Sequence, residues 1–226
     1  ASMNLSSANS INVARWLSQQ IYYFLAHQQW EFDRPPVIAV PSGNFGNLCA
    51  GLMAHKTGLP VQHFIAACNV NDTVPAYLRT RDYQVKPSVP TLSNAMDVGN
   101  PSNFIRIMEL MNQDYVSLQA MISGYTINDE TTLATIQKVY QQHSYLLDPH
   151  GAVAYAALTQ YQQENKNDRG YILETAHPVK FPDAIKTATG QEAPIPPAAM
   201  ELFGKQKRSI PMQKEYASFK EYLLSR

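Results

Sequence analysis

The feature that most constrains this chain is a short, wholly apolar run, Val37 to Val40, that breaks directly into Pro41-Ser42-Gly43-Asn44-Phe45-Gly46-Asn47. An uninterrupted apolar run suits a strand covered on both faces. Two glycines and two asparagines within five positions then call for a tight turn whose backbone comes close to something. Leu48 to His55 is helical in pattern, with Gly58 as a C-cap and Pro60 as a stop. Val61 to Cys68 reads as the next strand. Strand, turn, helix, strand is a βαβ unit, which implies a parallel pair with a right-handed crossover.

The remaining pattern extends this unit. Residues 10 to 30 are predicted to form a long helix, because Val13, Trp16, Leu17, Ile21, Phe24 and Leu25 recur at spacings of three and four. Asn9 or Ser10 is its expected cap. Further helices are expected over about 102–111, 131–142, 151–163, 183–189 and 213–224, and strands at 123–126 and 171–174. Asn69 to Thr73 and Ser93 to Pro101 read as polar loops. Alternating strands and helices predict an α/β fold with a mostly parallel sheet flanked by helices. The expected organisation is one α/β domain over 1–226, with 194–226 as a helical C-terminal extension.

Composition narrows the function. Eighteen basic residues balance eighteen acidic ones, and they are scattered, so no nucleic-acid or membrane-attracting patch is expected. No apolar run is long enough to span a bilayer. Cys49 and Cys68 lie in regular apolar patterns and read as buried thiols, with the cytosol as the expected compartment. No His/Cys/Asp cluster has metal-ligand spacing, so no metal is expected.

A loop between a parallel strand and a helix lies at the carboxyl edge of the sheet, where open α/β folds bind ligands. Gly43 and Gly46 remove Cβ atoms and permit positive φ, so several N–H groups can converge. The following helix adds its positive end and unpaired amides, giving an anion site suited to phosphate. The stretch is neither a Walker loop nor the dinucleotide GxGxxG. The alternative is a tight turn with asparagines in the left-handed region.

Six ordered stretches together resemble the threonine synthase family: Ala8 to Arg15, Pro41 to Asn47, Asn69 to Pro75, Thr91 to Val98, Pro149 to Tyr155 and Thr175 to Phe181. The resemblance implies a pyridoxal-5′-phosphate enzyme of the tryptophan-synthase-β-like fold, a lyase that converts O-phosphohomoserine and water into threonine and phosphate. It implies that Gly43, Asn44, Phe45, Gly46 and Asn47 hold the cofactor phosphate, and that Thr175 faces the pyridine nitrogen. It assigns Asn9, Ser10 and Arg15 to the substrate phosphate. A guanidinium fork such as that of Arg15 matches phosphate oxygens. Asn12 is left between ligand binding and capping.

The family also places a Schiff-base lysine in a Ser/Thr-Phe-Lys-Asp stretch upstream of these motifs, and that stretch is absent here. Ser218-Phe219-Lys220-Glu221 imitates the wording, but Lys220 belongs to an amphipathic helix and reads as solvated. Lys180 reads as a supporting or ion-pairing residue. His150 and His177 border site-like stretches but read as capping or packing residues. The expectation is therefore part of a longer enzyme, inactive by itself, whose missing N-terminal part is its partner. Alternatives are a phospholyase acting on phosphohomoserine, or a non-catalytic phosphate- or pyridoxal-binding module.

Overall fold

The computed structural model describes residues 6, 8–10 and 12–225. Ile11, within the Asn9-to-Arg15 motif, lies outside the described residues, as do most of the opening seven. The chain divides into two compact units, a larger one of Ala8–Pro194 and a smaller one that includes Ile195–Arg226. The smaller carries two helices, Pro197–Phe203 and Tyr216–Leu224.

The larger unit is built on four parallel strands: β1 (Val37–Pro41), β2 (His63–Cys68), β3 (Ile122–Thr126) and β4 (Gly170–Ile172), in the order β3-β2-β1-β4. The parallel α/β expectation is met. β1 is the central strand, pairing Val37 with both His63 and Gly170, which explains its wholly apolar sequence. Its side chains alternate between two cores. Ile38 and Val40 join Phe64 and Ala66 on one face, while Val37 and Ala39 join Ile65 and Ala67 on the other.

The first face is covered by α1 (Val13–Gln28) and α2 (Gly46–Lys56), with α4 (Phe104–Leu110) beyond them. The second is covered by α7 (Pro149–Glu164). α6 (Asp129–His143) and α8 (Pro182–Thr189) pack outside α7 around Ile136, Leu147 and Ile185. Two further helices, α3 (Thr73–Thr80) and α5 (Tyr115–Met121), were not signalled by the sequence pattern. Both are short, and tertiary packing stabilises them more than periodicity does.

Several boundaries differ from expectation. α1 begins at Val13, with Asn12 as its cap, accepting from the Ala14 amide at 3.1 Å. Asn9 and Ser10 instead form the turn before it, where the Asn12 amide donates to the Asn9 carbonyl at 3.0 Å. β4 stops at Ile172, so Leu173 and Glu174 belong to the loop that follows. In α1, Trp16 and Tyr23 are the residues that enter the core, while the stripe Val13, Leu17, Ile21, Phe24 and Leu25 is exposed. No helix among the described residues is long and apolar enough to cross a membrane.

Candidate functional site

β1 delivers the turn Ser42–Asn47 to the carboxyl edge of the sheet, and α2 starts within it. The turn is steered by Phe45, not by a glycine: Phe45 stands at φ 64°, in the left-handed region. Gly43 and Gly46 are not at positive φ, which corrects their expected role, and neither asparagine takes that conformation. A bulky residue in this region carries a steric cost. Burial of the Phe45 ring against Phe104, with centroids 6.1 Å apart, offsets it.

The glycines serve close approach. A Cβ on Gly43 would lie 2.6 Å from the Cα of Met96, and one on Gly46 would lie 3.0 Å from the Ser10 Cβ. Met96 belongs to a 3-10 turn, Asn94–Met96. That turn is anchored by the Asn69 side-chain amide, which donates to Thr91 Oγ1 at 2.8 Å, Ser93 Oγ at 3.0 Å and Asp97 Oδ1 at 2.8 Å.

Both loop asparagines brace the chain. Asn44 Oδ1 accepts from the Ser102 amide at 2.6 Å and from its hydroxyl at 3.0 Å, and Asn44 Nδ2 donates to Ser10 Oγ at 2.8 Å. Asn47 Nδ2 donates to the Pro41 carbonyl at 2.7 Å, and Asn47 Oδ1 accepts from the Leu48 amide at 2.9 Å. The buried Tyr23 hydroxyl donates to the Asn47 carbonyl at 2.6 Å. With side chains spent on bracing, the main-chain amides of 43–47 are the groups left to bind, and no acceptor among the described residues takes them. They lie at the N-terminal end of an eleven-residue helix, where an anion is favoured.

These residues line one cleft of about 670 Å³. Ser10, Gln19 and Tyr22 border it from the α1 side, Asn94 to Met96 from the 3-10 turn, and Thr175, Lys180 and Phe181 from the segment after β4. The structure thus brings together Gly43, Asn44, Phe45, Gly46, Asn47, Ser10 and Thr175. Asn9 and Arg15 are not among the lining residues. Arg15 donates to the Ala8 carbonyl and holds the turn before α1. His177 also lies off the cleft, and its ring accepts from the Val179 amide at 3.1 Å as a cap. Lys220 is exposed on the helix Tyr216–Leu224 of the smaller unit.

Sequence reasoning assigned no site role to Asn94, Met96, Gln19, Tyr22 or Glu174. Met96 and Gly43 are far apart in sequence, and no local pattern encodes their contact. Glu174 sits beside Asp148, the N-cap of α7. Asp148 Oδ1 accepts from the His150 amide at 2.7 Å, and the Asp148 amide donates to Glu174 Oε1 at 3.1 Å. Burial works to raise the Asp148 pKa, but hydrogen bonds with His150 and Glu174 outweigh it, and the group is held below the usual carboxylate range. Glu174 moves the other way, to about 8, through desolvation of its carboxyl and its proximity to Asp148. The Asp148–Glu174 pair therefore carries one charge at neutral pH, and Lys180 is the cleft's lining cation. His150 is buried in the cleft wall, Nδ1 lying 3.2 Å from Asp148 Oδ1 and the ring edge-on to Phe181. Among the described residues, no three His, Cys, Asp or Glu side chains are grouped to hold a metal.

The uncommitted amides and the low negative charge suit an anion such as a phosphate. Fold and cleft together define an α/β unit whose cleft lies at the strand-to-helix turn on the carboxyl edge of a parallel sheet. The chain belongs to the pyridoxal-phosphate dependent enzyme family, whose family model matches residues 3–174. A second family model, described as threonine synthase, C-terminal, matches residues 151–223. Threonine synthase of Haemophilus influenzae is 41% identical over 224 residues, covering 98% of this chain and 52% of that protein. The crystal structure of threonine synthase from Escherichia coli superposes with a TM-score of 0.90 at 40% identity, over 98% of this chain and 51% of that one. A pyridoxal-phosphate-bound threonine synthase from Brucella melitensis gives 0.84 at 31% identity, over 97% and 52%. The chain thus spans about half the length of these relatives.

Proposed function

We propose that this chain is the cofactor-phosphate-holding part of a threonine synthase, which converts O-phosphohomoserine and water into threonine and phosphate. The observation that carries the reading is the turn Gly43–Asn47. Its amides are uncommitted among the described residues, its side chains are used for bracing, and its glycines are crowded by Met96 and Ser10. The similarity to threonine synthases from three bacteria supports it.

Pyridoxal phosphate would supply an electron sink for carbanions next to the substrate's amino group. In this reading the amides of Gly43, Asn44, Phe45, Gly46 and Asn47 bind the cofactor phosphate, aided by the positive end of α2. The Thr175 hydroxyl meets the pyridine nitrogen as a neutral hydrogen-bonding partner. Ser10 binds the substrate phosphate from the cleft edge, with Asn9 and Arg15, in and after the turn before α1, as its companions in the same motif. Glu174 in its protonated form keeps a second negative charge away from the two phosphates. The lysine that engages the cofactor lies outside this stretch, so the chain alone has no turnover.

The test uses the complete reading frame with pyridoxal 5′-phosphate and O-phosphohomoserine, following phosphate release and identifying the organic product. Phosphate with equimolar threonine is the expected result. Phosphate with 2-oxobutyrate would replace the reading by a phospholyase. No phosphate release would sink both.

A further inference from the structure

The 3-10 turn that crowds Gly43 is held in place by side chains. Residues 81–93, which lead into it, form neither helix nor strand, so their backbone polar groups need partners from elsewhere. The end of β2 supplies them. Its last residue, Cys68, is followed by Asn69 and Asn71, both buried. Asn71 Nδ2 donates to the Val89 carbonyl at 2.9 Å, and Asn71 Oδ1 accepts from the Val89 amide at 2.7 Å. Asn69 Oδ1 accepts from the Asn71 amide at 2.9 Å. At the centre of these contacts is Asp97, the residue after the 3-10 turn. Its Oδ1 accepts from Asn69 Nδ2 at 2.8 Å, Thr91 Oγ1 at 2.7 Å and Asn71 Nδ2 at 3.2 Å, and its Oδ2 accepts from the Thr91 amide at 3.0 Å. All four donors are uncharged, and the ion pairs among the described residues do not include Asp97. Such a cage requires a carboxylate, which accepts at both oxygens; an amide of the same shape would turn N–H groups toward donors. Hydrogen bonds to an ionised acceptor are also stronger than neutral ones.

We propose that Asp97 is a positioning residue for the phosphate-binding turn: by gathering these donors it fixes Asn94–Met96, whose backbone presses on Gly43 and holds the amides of 43–47 where they converge. This rests on the proposed function, in which that turn takes the cofactor phosphate. Asp97 does not line the cleft; it acts through Met96, which does. The topology places the two parts together. β1 and β2 are adjacent parallel strands, and the Ser42 amide donates to the Ala67 carbonyl at 2.8 Å. The binding turn after β1 and the clamp after β2 therefore start from one edge of the sheet. A clamp of this kind keeps the binding amides in place before the ligand arrives, so less ordering is required on binding.

The test uses the complete reading frame titrated with pyridoxal 5′-phosphate, with the ³¹P resonance of the bound cofactor as a second readout. Asp97→Asn should weaken binding about ten- to a hundredfold and move the ³¹P resonance. Asn69→Asp should do the same, because it sets two carboxylates across a 2.8 Å contact. The double variant Asn69→Asp/Asp97→Asn reverses donor and acceptor across that contact, and it should return to within about threefold of wild type, as coupled partners do. Thr91→Val removes one donor to Asp97. It should cost about three- to tenfold, and it gives a milder reading should Asp97→Asn fail to fold. Asp114→Ala is the structural control. It removes the cap of α5, which accepts from the Val116 and Ser117 amides, and it should lower the melting temperature yet leave the affinity and the ³¹P resonance unchanged. Wild-type affinity and resonance in Asp97→Asn or in Thr91→Val would overturn the proposal and leave the proposed function standing. A swapped double variant no better than the singles, or a control that loses affinity in step with its melting temperature, would also overturn it. A wild-type protein that binds no pyridoxal 5′-phosphate would remove the proposed function and this positioning role together.

Discussion

Replacing Gly43 by alanine tests whether the turn is shaped by close approach. The added Cβ would lie 2.6 Å from the Met96 Cα and 3.0 Å from both the carbonyl carbon and oxygen of Met96. All three are backbone atoms, so no side chain can swing aside. The turn that holds Met96 is pinned in its own right by the three hydrogen bonds from Asn69. The strain must therefore appear as displacement of the 43–47 backbone, at about 1–3 kcal/mol for an overpacked site. In a chain of this size that lowers the melting temperature by about 2–12 °C. The same displacement moves the binding amides, and a loss of about 1.4–2.8 kcal/mol weakens affinity ten- to a hundredfold. Circular dichroism melting of the chain measures the first effect. Titration of the full-length protein with pyridoxal 5′-phosphate measures the second. Gly204→Ala is the control, since nothing lies within 4 Å of its Cβ position and its φ is −88°. If Gly43→Ala melts with the wild type and binds the cofactor equally well, the close-approach argument is wrong.

Three other outcomes follow from the same geometry. Asn44→Ala deprives the Ser102 amide and hydroxyl of their acceptor and leaves Ser10 with Asn103 alone as a donor; a loss of about 1–3 kcal/mol is expected in urea unfolding, and an unchanged midpoint would remove the bracing role. Burial beside Asp148 raises the Glu174 pKa from its ordinary 4.5 to about 8 in the folded chain, so between those values the folded chain keeps a proton that the unfolded chain releases. Stability should fall as pH rises through that window, and Glu174→Gln should lessen the fall when urea midpoints at pH 5 and pH 8 are compared; an identical slope in both proteins refutes the assignment. Burial pushes the Cys49 thiol up to about 11, with Arg106 only partly opposing it, and raises Cys68 further. Neither should react with iodoacetamide at pH 8 until the chain is unfolded, and rapid alkylation of the native protein would contradict that burial.

Local covalent pattern decided much of this protein. The apolar run of β1, the turn after it and the helix beyond are written in consecutive residues, because strand burial and helix periodicity act over a few positions. The cleft's two main walls were legible for the same reason: the loop 43–47 and Thr175 each follow a parallel strand, and parallel strands direct their carboxyl ends to one edge. The tertiary structure decided what lies between distant residues. It put Phe45, not a glycine, in the left-handed position, because packing on Phe104 outweighs a local steric preference. It gave the glycines their purpose through Met96 and Ser10, and it made Asn12 the cap of α1. It also turned Trp16 and Tyr23 inward and left the larger apolar stripe of α1 outside. Periodicity defines a helical face, but only the surrounding elements determine which face has something to cover it.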